Sequence, residues 1–408
     1  MTAVTAVGAT APAAALRRPA VYPGQPFVGF TFDYLVIGGG FSLLVLALLA
    51  SGTMPSASVF LKEHLWTFVL LSNSAHFAGS TVRLYTRPGS FRDLPFLTMG
   101  LPLVSLVVLA LGLVFPGSLG QNLLSLYLTW SPYHYSAQAY GIAVLYCYRS
   151  GAPWDEKEKR WLRLACFAPF LYSFLTIPGA GLTWLMPAAA LADPAAAAVR
   201  GFAATASMVA SFAAPLALFV RHQVSGRARL PLISLLAVLA NAVWLVLLSY
   251  QVAMVLAVIT IFHGLQYLAI LTIVHVKEQM KRPGNGAPAW RHAAGFYARC
   301  LGLGYLLFQV WPHAFVLAGF SYGESLLLVV SVINIHHFIV DAFIWRLRRD
   351  PSYAAAAASG GSGGDAVRHP PAQAASADSF RASGGSGGGA VRHPPARAAS
   401  ADSFRASG

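Results

Sequence analysis

The chain has 408 residues, 56% of them hydrophobic and 10% charged, with a mean hydropathy of +0.60 and a formal net charge of +14. That composition excludes an ordinary water-soluble domain, because several runs exceed the ~18 apolar residues a bilayer-spanning helix needs. The positive charge is dispersed over short segments between apolar runs, which fits membrane orientation and lipid headgroups and argues against nucleic acid as a partner.

Residues 1–26 are Ala-, Thr- and Pro-rich, carry Arg17 and Arg18, and lack the charged-then-apolar order of a cleaved signal peptide. They read as a flexible tail. Residues 27–349 read as an all-α, polytopic transmembrane helical bundle. The expected spans, about ten, are 27–50, 60–84, 96–115, 123–146, 161–177, 199–220, 230–249, 252–276, 297–317 and 326–345. With the N-terminus inside, the inner segments collect Arg83/Arg87/Arg92, Arg149/Lys157/Lys159/Arg160/Arg163, Arg221/Arg227/Arg229, Lys277/Lys281/Arg282/Arg291/Arg299 and Arg346/Arg348/Arg349. The outer segments hold only Lys62 and Arg200. This asymmetry predicts both termini on the cytoplasmic side.

Residues 350–408 form a Gly/Ser/Ala/Pro-rich tail in which a 24-residue unit, Ala358 to Arg381, recurs from Ala382 to Arg405. The tail buries too little apolar surface to fold, so disorder is expected. Cys147, Cys166 and Cys300 have no CxxC spacing and indicate neither a disulfide framework nor a zinc site.

The informative residues are polar and lie within the apolar runs. The second span carries Asn73 and His76, the fourth His134 and Gln138, the eighth His263 and Gln266, and the tenth Asn334, His336, His337 and Asp341. All four spans run in the same direction under this topology. His134, His263 and His337 each fall about eleven residues from the outer helix end, ~16 Å at 1.5 Å per residue. A lone membrane histidine is ordinarily an interhelical hydrogen-bond partner, and that reading suits His64, His275 and His313 near span ends. Five imidazoles and a carboxylate at one depth exceed what packing requires.

Imidazole and carboxylate together suit iron and other transition metals. His76, His134, His263, His336, His337 and Asp341 are therefore the candidate metal ligands. Asn73, Gln138, Gln266 and Asn334 are candidates for orienting the imidazoles by hydrogen bonds. The expected function is an integral-membrane, non-haem iron, O2-dependent oxidoreductase acting on an apolar, lipid-soluble small molecule. A carotenoid, an isoprenoid and an acyl chain are the substrate classes, with membrane lipid as surroundings and an electron donor where the reaction needs one. Two alternatives use the same residues: a haem b clamped by His134 with His263 or His76 with His337, and a proton- or cation-coupled transporter.

The bundle with single histidines on separate membrane helices resembles the Brp/Blh-type bacterial β-carotene dioxygenases. The resemblance covers residues 64–341 and rests on His76, His134, His263 and His336/His337. It implies an iron centre, carotenoid cleavage, and a multi-pass protein of a bacterial-type inner (cell) membrane. The chain departs from the desaturase and alkane-hydroxylase pattern, because it has no HxxxH or HxxHH clusters at cytosolic helix ends.

Overall fold

The structure is a computed structural model that describes residues 21–52, 55–151, 154–225, 230–250 and 254–344. All of them belong to one compact unit, and their regular secondary structure is helical, without a strand. Residues 1–20 and 345–408, with the expected N-terminal tail and the repeat, lie outside the described residues.

Twelve helices carry the architecture. α1 (Phe30–Ile37) and α2 (Gly40–Ser51) form a pair bent by 55° at Gly38-Gly39, where Gly39 adopts a φ of 83°. α3 (Pro55–Glu63) leads into α4 (residues 65–86), which contains a π turn at Leu70–Ser74. Then follow α5 (Phe96–Val114), α6 (Gln121–Arg149), α7 (Glu156–Thr176), α8 (Pro194–Ser225), α9 (Leu232–Ser249), α10 (Val255–Met280), α11 (Ala289–Leu317) and α12 (Tyr322–Ile344).

Six of these helices are long and apolar enough to cross a membrane: α5, α8, α9, α10, α11 and α12; the bent α1/α2 pair makes a seventh if it counts as one span. The chain is thus a multi-pass membrane protein by length and composition. Three more expected spans are helical but fall short of that measure. In α4 and α6 the cause is the polar residues that replaced apolar ones, among them Asn73, His76, His134 and Gln138. In α7 it is the charged start Glu156-Lys-Glu-Lys-Arg160, which the structure turns into a helix cap: Asp155 accepts from the Glu158 amide at 2.7 Å while Glu158 accepts from the Asp155 amide.

Burial sorts the helices into layers. The apolar windows of α10, α9 and α12 are 67%, 61% and 56% buried inside the bundle, against 22% for α8 and α11. The outer helices therefore present large apolar side chains outward, such as Phe202 on α8 and Leu317 on α11. Such surfaces are stable in lipid and unstable in water. α12 packs between α4, α5 and α6, while α10 packs against α4 and α11. This arrangement brings α4, α6, α10 and α12 to one centre.

The stretch before α1 is tied down. The Leu232 amide donates to Tyr22 O at 2.8 Å, and the Gln25 amide to Ser150 Oγ at 3.0 Å. Asp33, fully buried, accepts from the amides of Phe27, Val28 and Gly29 and from the Tyr146 hydroxyl. One carboxylate thus folds residues 27–29 back over α1. Asp33→Ala would leave the buried Tyr146 hydroxyl and three partly exposed amides without this acceptor, and an unsatisfied buried group costs about 1–3 kcal/mol. A loss of about 1–3 kcal/mol is expected, read as a lower melting temperature of the detergent-solubilised protein.

Candidate metal centre

The site is built from four helices. His76 lies on α4 two residues after the π turn, a feature that recurs beside functional sites because it rotates the following side chains out of α register. Ser72 within that turn donates back to Phe68 O at 2.6 Å. Two glycines from other helices press on the same backbone. A Cβ at Gly264 of α10 would stand 3.0 Å from Ser72 C and 3.1 Å from Asn73 Cα. A Cβ at Gly304 of α11 would stand 2.7 Å from both C and O of Ser74. The approach at Gly304 admits only glycine, and that at Gly264 admits a Cβ only if the facing backbone gives by a few tenths of an ångström.

His134 comes from α6, His263 from α10, and His337 and Asp341 from α12, four residues apart and so on one face. One donor atom each from His76, His134, His337 and Asp341 lies within 4.8 Å of the others, and all four residues are buried. His337 Nε2 is 3.3 Å from Asp341 Oδ2, and His134 Nε2 is 3.9 Å from the same oxygen. His263 borders the group, its ring centroid 4.8 Å from that of His76 and 5.2 Å from that of His134.

Two neighbours orient the quartet. The Tyr267 hydroxyl donates to Asp341 Oδ1 at 2.7 Å, leaving Oδ2 toward the histidines. Ser80 Oγ is 2.8 Å from His337 Nδ1, which leaves Nε2 toward Asp341. Sequence reasoning overlooked both roles. Ser80 is one turn after His76 on the same face, and Tyr267 one turn after His263. Those spacings were the available signal. A helical serine commonly bonds its own backbone, and Ser80 also reaches Phe77 O at 3.3 Å.

Aromatic rings close the surroundings. Phe338 stacks on His134 at 4.5 Å, Tyr267 lies against His76 at 4.5 Å, Tyr135 against His263 at 4.4 Å, and Phe77 against His337 at 5.1 Å. Within this enclosure His76 Nδ1 and Nε2, His134 Nε2, His263 Nδ1 and Nε2, and His337 Nε2 are buried without a hydrogen-bond partner. Buried polar atoms are nearly always paired, so six orphaned ring nitrogens in one place call for an electrophile. A cation satisfies them, and neutral imidazoles with one carboxylate are a donor set for a transition metal.

The remaining expected site residues are placed otherwise. His336 is buried on α12 but lies outside the quartet. Gln138 Nε2 donates to the His263 carbonyl and to Gln266 Oε1, both at 3.2 Å, while Gln266 Nε2 donates to Ile37 O at 2.9 Å. These amides brace the backbone at His263 against α6 and α1; their bonds go to main chain and to each other. Asn334 Nδ2 donates to Val330 O of its own helix at 2.6 Å. Asn73 contributes through its backbone, which packs under Gly264. The span-end histidines have local partners: His64 Nδ1 meets Phe60 O, His313 Nδ1 meets Gln309 O, and His275 stacks on Phe296.

Comparison with protein-family models, curated proteins and solved structures found no match for this chain.

Proposed function

We propose that the protein is an integral-membrane, non-haem iron oxygenase acting on an apolar, lipid-soluble substrate such as a carotenoid, isoprenoid or acyl chain. The observation that carries this reading is the buried quartet His76, His134, His337 and Asp341 with its unpartnered ring nitrogens. His263, beside the quartet, offers a fourth imidazole. Three neutral histidines and one carboxylate leave a divalent cation with a single net positive charge, which a low-dielectric surrounding tolerates better than two. An iron ion held there supplies the redox chemistry for O2-dependent oxidation.

The chain's own residues do the rest. Ser80 and Tyr267 fix the facing atoms of His337 and Asp341. Phe77, Phe338, Tyr135 and Tyr267 keep water from the centre, which suits a substrate and a gas that both dissolve in the lipid. Bare iron is favoured over haem b because the pairs His134/His263 and His76/His337 stand edge to face, with centroids 5.2 and 4.4 Å apart. No flat macrocycle fits between rings so disposed. The proposal includes ten crossings with both termini inside, supported by the distribution of arginine and lysine.

The test is metal analysis of protein purified in nanodiscs, with a visible spectrum and labelled-O2 incorporation into lipid extracts. The expected result is about one iron per chain, no Soret band, and label in an apolar product. A Soret band tracking the protein, or metal-free protein retaining transport, overturns the reading.

A further inference from the structure

A half-open cavity of about 350 Å3 lies beside the metal centre, lined by Tyr127, Leu128, Ser131, Pro132 and Tyr135 of α6 and by residues at or just beyond the ends of α7, α9 and α10. Tyr135 belongs to both places: it lines the cavity, and its ring centroid is 4.4 Å from that of His263. One aromatic ring therefore partitions the chamber from the histidines. We propose that this chamber is the substrate site, and that it takes an acyl or isoprenoid chain bearing a hydroxyl group.

The volume sets the size. At roughly 30 Å3 per water-sized group, the chamber holds on the order of a dozen carbon-sized units, so an isoprenoid as long as farnesol keeps its hydroxyl end inside while the end of its tail leaves through the open side. The walls set the chemistry. Leu128, Leu248, Leu256, Ile177 and Pro178 are apolar, whereas Tyr127, Ser131 and Tyr135 recur every four residues along one stripe of α6; the Ser131 hydroxyl donates to Tyr127 O at 2.8 Å and so remains an acceptor beside the two phenols. Pro132 adds an acceptor. A proline has no amide hydrogen, so it cannot make the helical bond to Leu128 O. Leu128 and Pro132 both line the chamber, and a carbonyl that lacks its helical amide donor can accept from an alcohol O–H.

A third observation concerns the rim. Met254, with a φ of 65°, is the one non-glycine in the left-handed region among the described residues, and it too lines the chamber. Strain of that kind is held at functional sites. Under the proposed topology Met254 and Pro178 lie toward the outer leaflet, so a lipid-borne alcohol enters from that side.

This inference relies on the metal-centre reading for the fate of the ligand and not for its binding, which the experiment separates. Tritiated farnesol and its hydrocarbon counterpart are titrated against the full chain in nanodiscs, and iron is measured on the same samples. Wild type should bind farnesol saturably and more tightly than the hydrocarbon. Ser131→Phe, which fills the chamber, should weaken both at least tenfold. Pro132→Ala restores an amide for Leu128 O and should weaken farnesol several-fold while leaving the hydrocarbon unchanged. Iron content should stay at the wild-type level in both variants. Unchanged farnesol binding in Ser131→Phe overturns the chamber, and equal losses for both ligands in Pro132→Ala overturn the hydroxyl preference. Farnesol binding intact in a protein that never takes up iron leaves the chamber standing and overturns the metal-centre reading.

Discussion

Alanine at His337 is expected to abolish metal binding while costing the metal-free protein little stability. His337 supplies the ring nitrogen nearest Asp341, 3.3 Å from Oδ2, and its other nitrogen is held by Ser80. Removing a partner that merely orients a ligand weakens metal binding about 10–100-fold, and removing a ligand itself should exceed that. The stability argument runs the other way. In the metal-free state both ring nitrogens of His76 and His263, and Nε2 of His134 and His337, are buried without a hydrogen-bond partner. Each such group costs about 1–3 kcal/mol, so deleting one offsets much of the packing lost with the ring. Ligand linkage then separates the two proteins. A metal at 1,000 times its dissociation constant stabilises the native state by about 4 kcal/mol. Added iron should raise the melting temperature of wild type by several degrees and leave that of His337→Ala unmoved. Ser80→Ala should fall between them. His336→Ala, one residue away but outside the quartet, should bind metal as wild type does. Equal metal content in His336→Ala and His337→Ala would sink the ligand assignment.

That contrast between adjacent histidines shows what the sequence could and could not convey. The polar residues of four spans stood out because hydrocarbon tolerates so few. Matched depth on the expected parallel helices then pointed to a common layer; the structure brings His76, His134, His263, His337 and Asp341 into one cluster. Helix periodicity also put His337 and Asp341 on one face. It could not say which of His336 and His337 turned inward, because that depends on the rotation of α12 against α4 and α6. The role of the amides was equally hidden. Gln138 and Gln266 sit one turn beyond their histidines, yet they bond to the His263 carbonyl, to Ile37 O and to each other. An amide chooses among acceptors that other helices deliver, and local spacing does not reveal those. The spans were legible where composition was uniform. They became ambiguous by hydropathy in α4 and α6, the very helices that gave up apolar residues to the site. The π turn at Leu70–Ser74 left no recognisable mark, since no proline or glycine breaks that stretch.

The π turn is also where the second large effect is expected. Gly304→Ala should cost about 1–3 kcal/mol of stability by overpacking and should lower iron affinity at least as far as the loss of an orienting partner does, about 10–100-fold, read as iron retained at limiting metal. A Cβ at Gly304 would meet Ser74 C and O at 2.7 Å and Ala75 N at 3.0 Å. Those atoms are backbone and cannot swing aside, so either α11 retreats or the turn before His76 shifts. Ligand geometry tolerates ~0.5 Å of error, less than the displacement needed to bring the contact to an ordinary distance. Gly264→Ala loads the same turn from α10, with contacts of 3.0–3.1 Å, and should act in the same direction more weakly. Gly302→Ala supplies the control. It lies on the same helix as Gly304, and a Cβ there meets nothing within 4 Å. Relieved of glycine's entropy in a helix, that variant should be stabilised by up to ~1 kcal/mol and keep its iron. Equal iron in Gly304→Ala and Gly302→Ala would mean that the position of His76 is set by something other than the squeeze of two helices on the π turn.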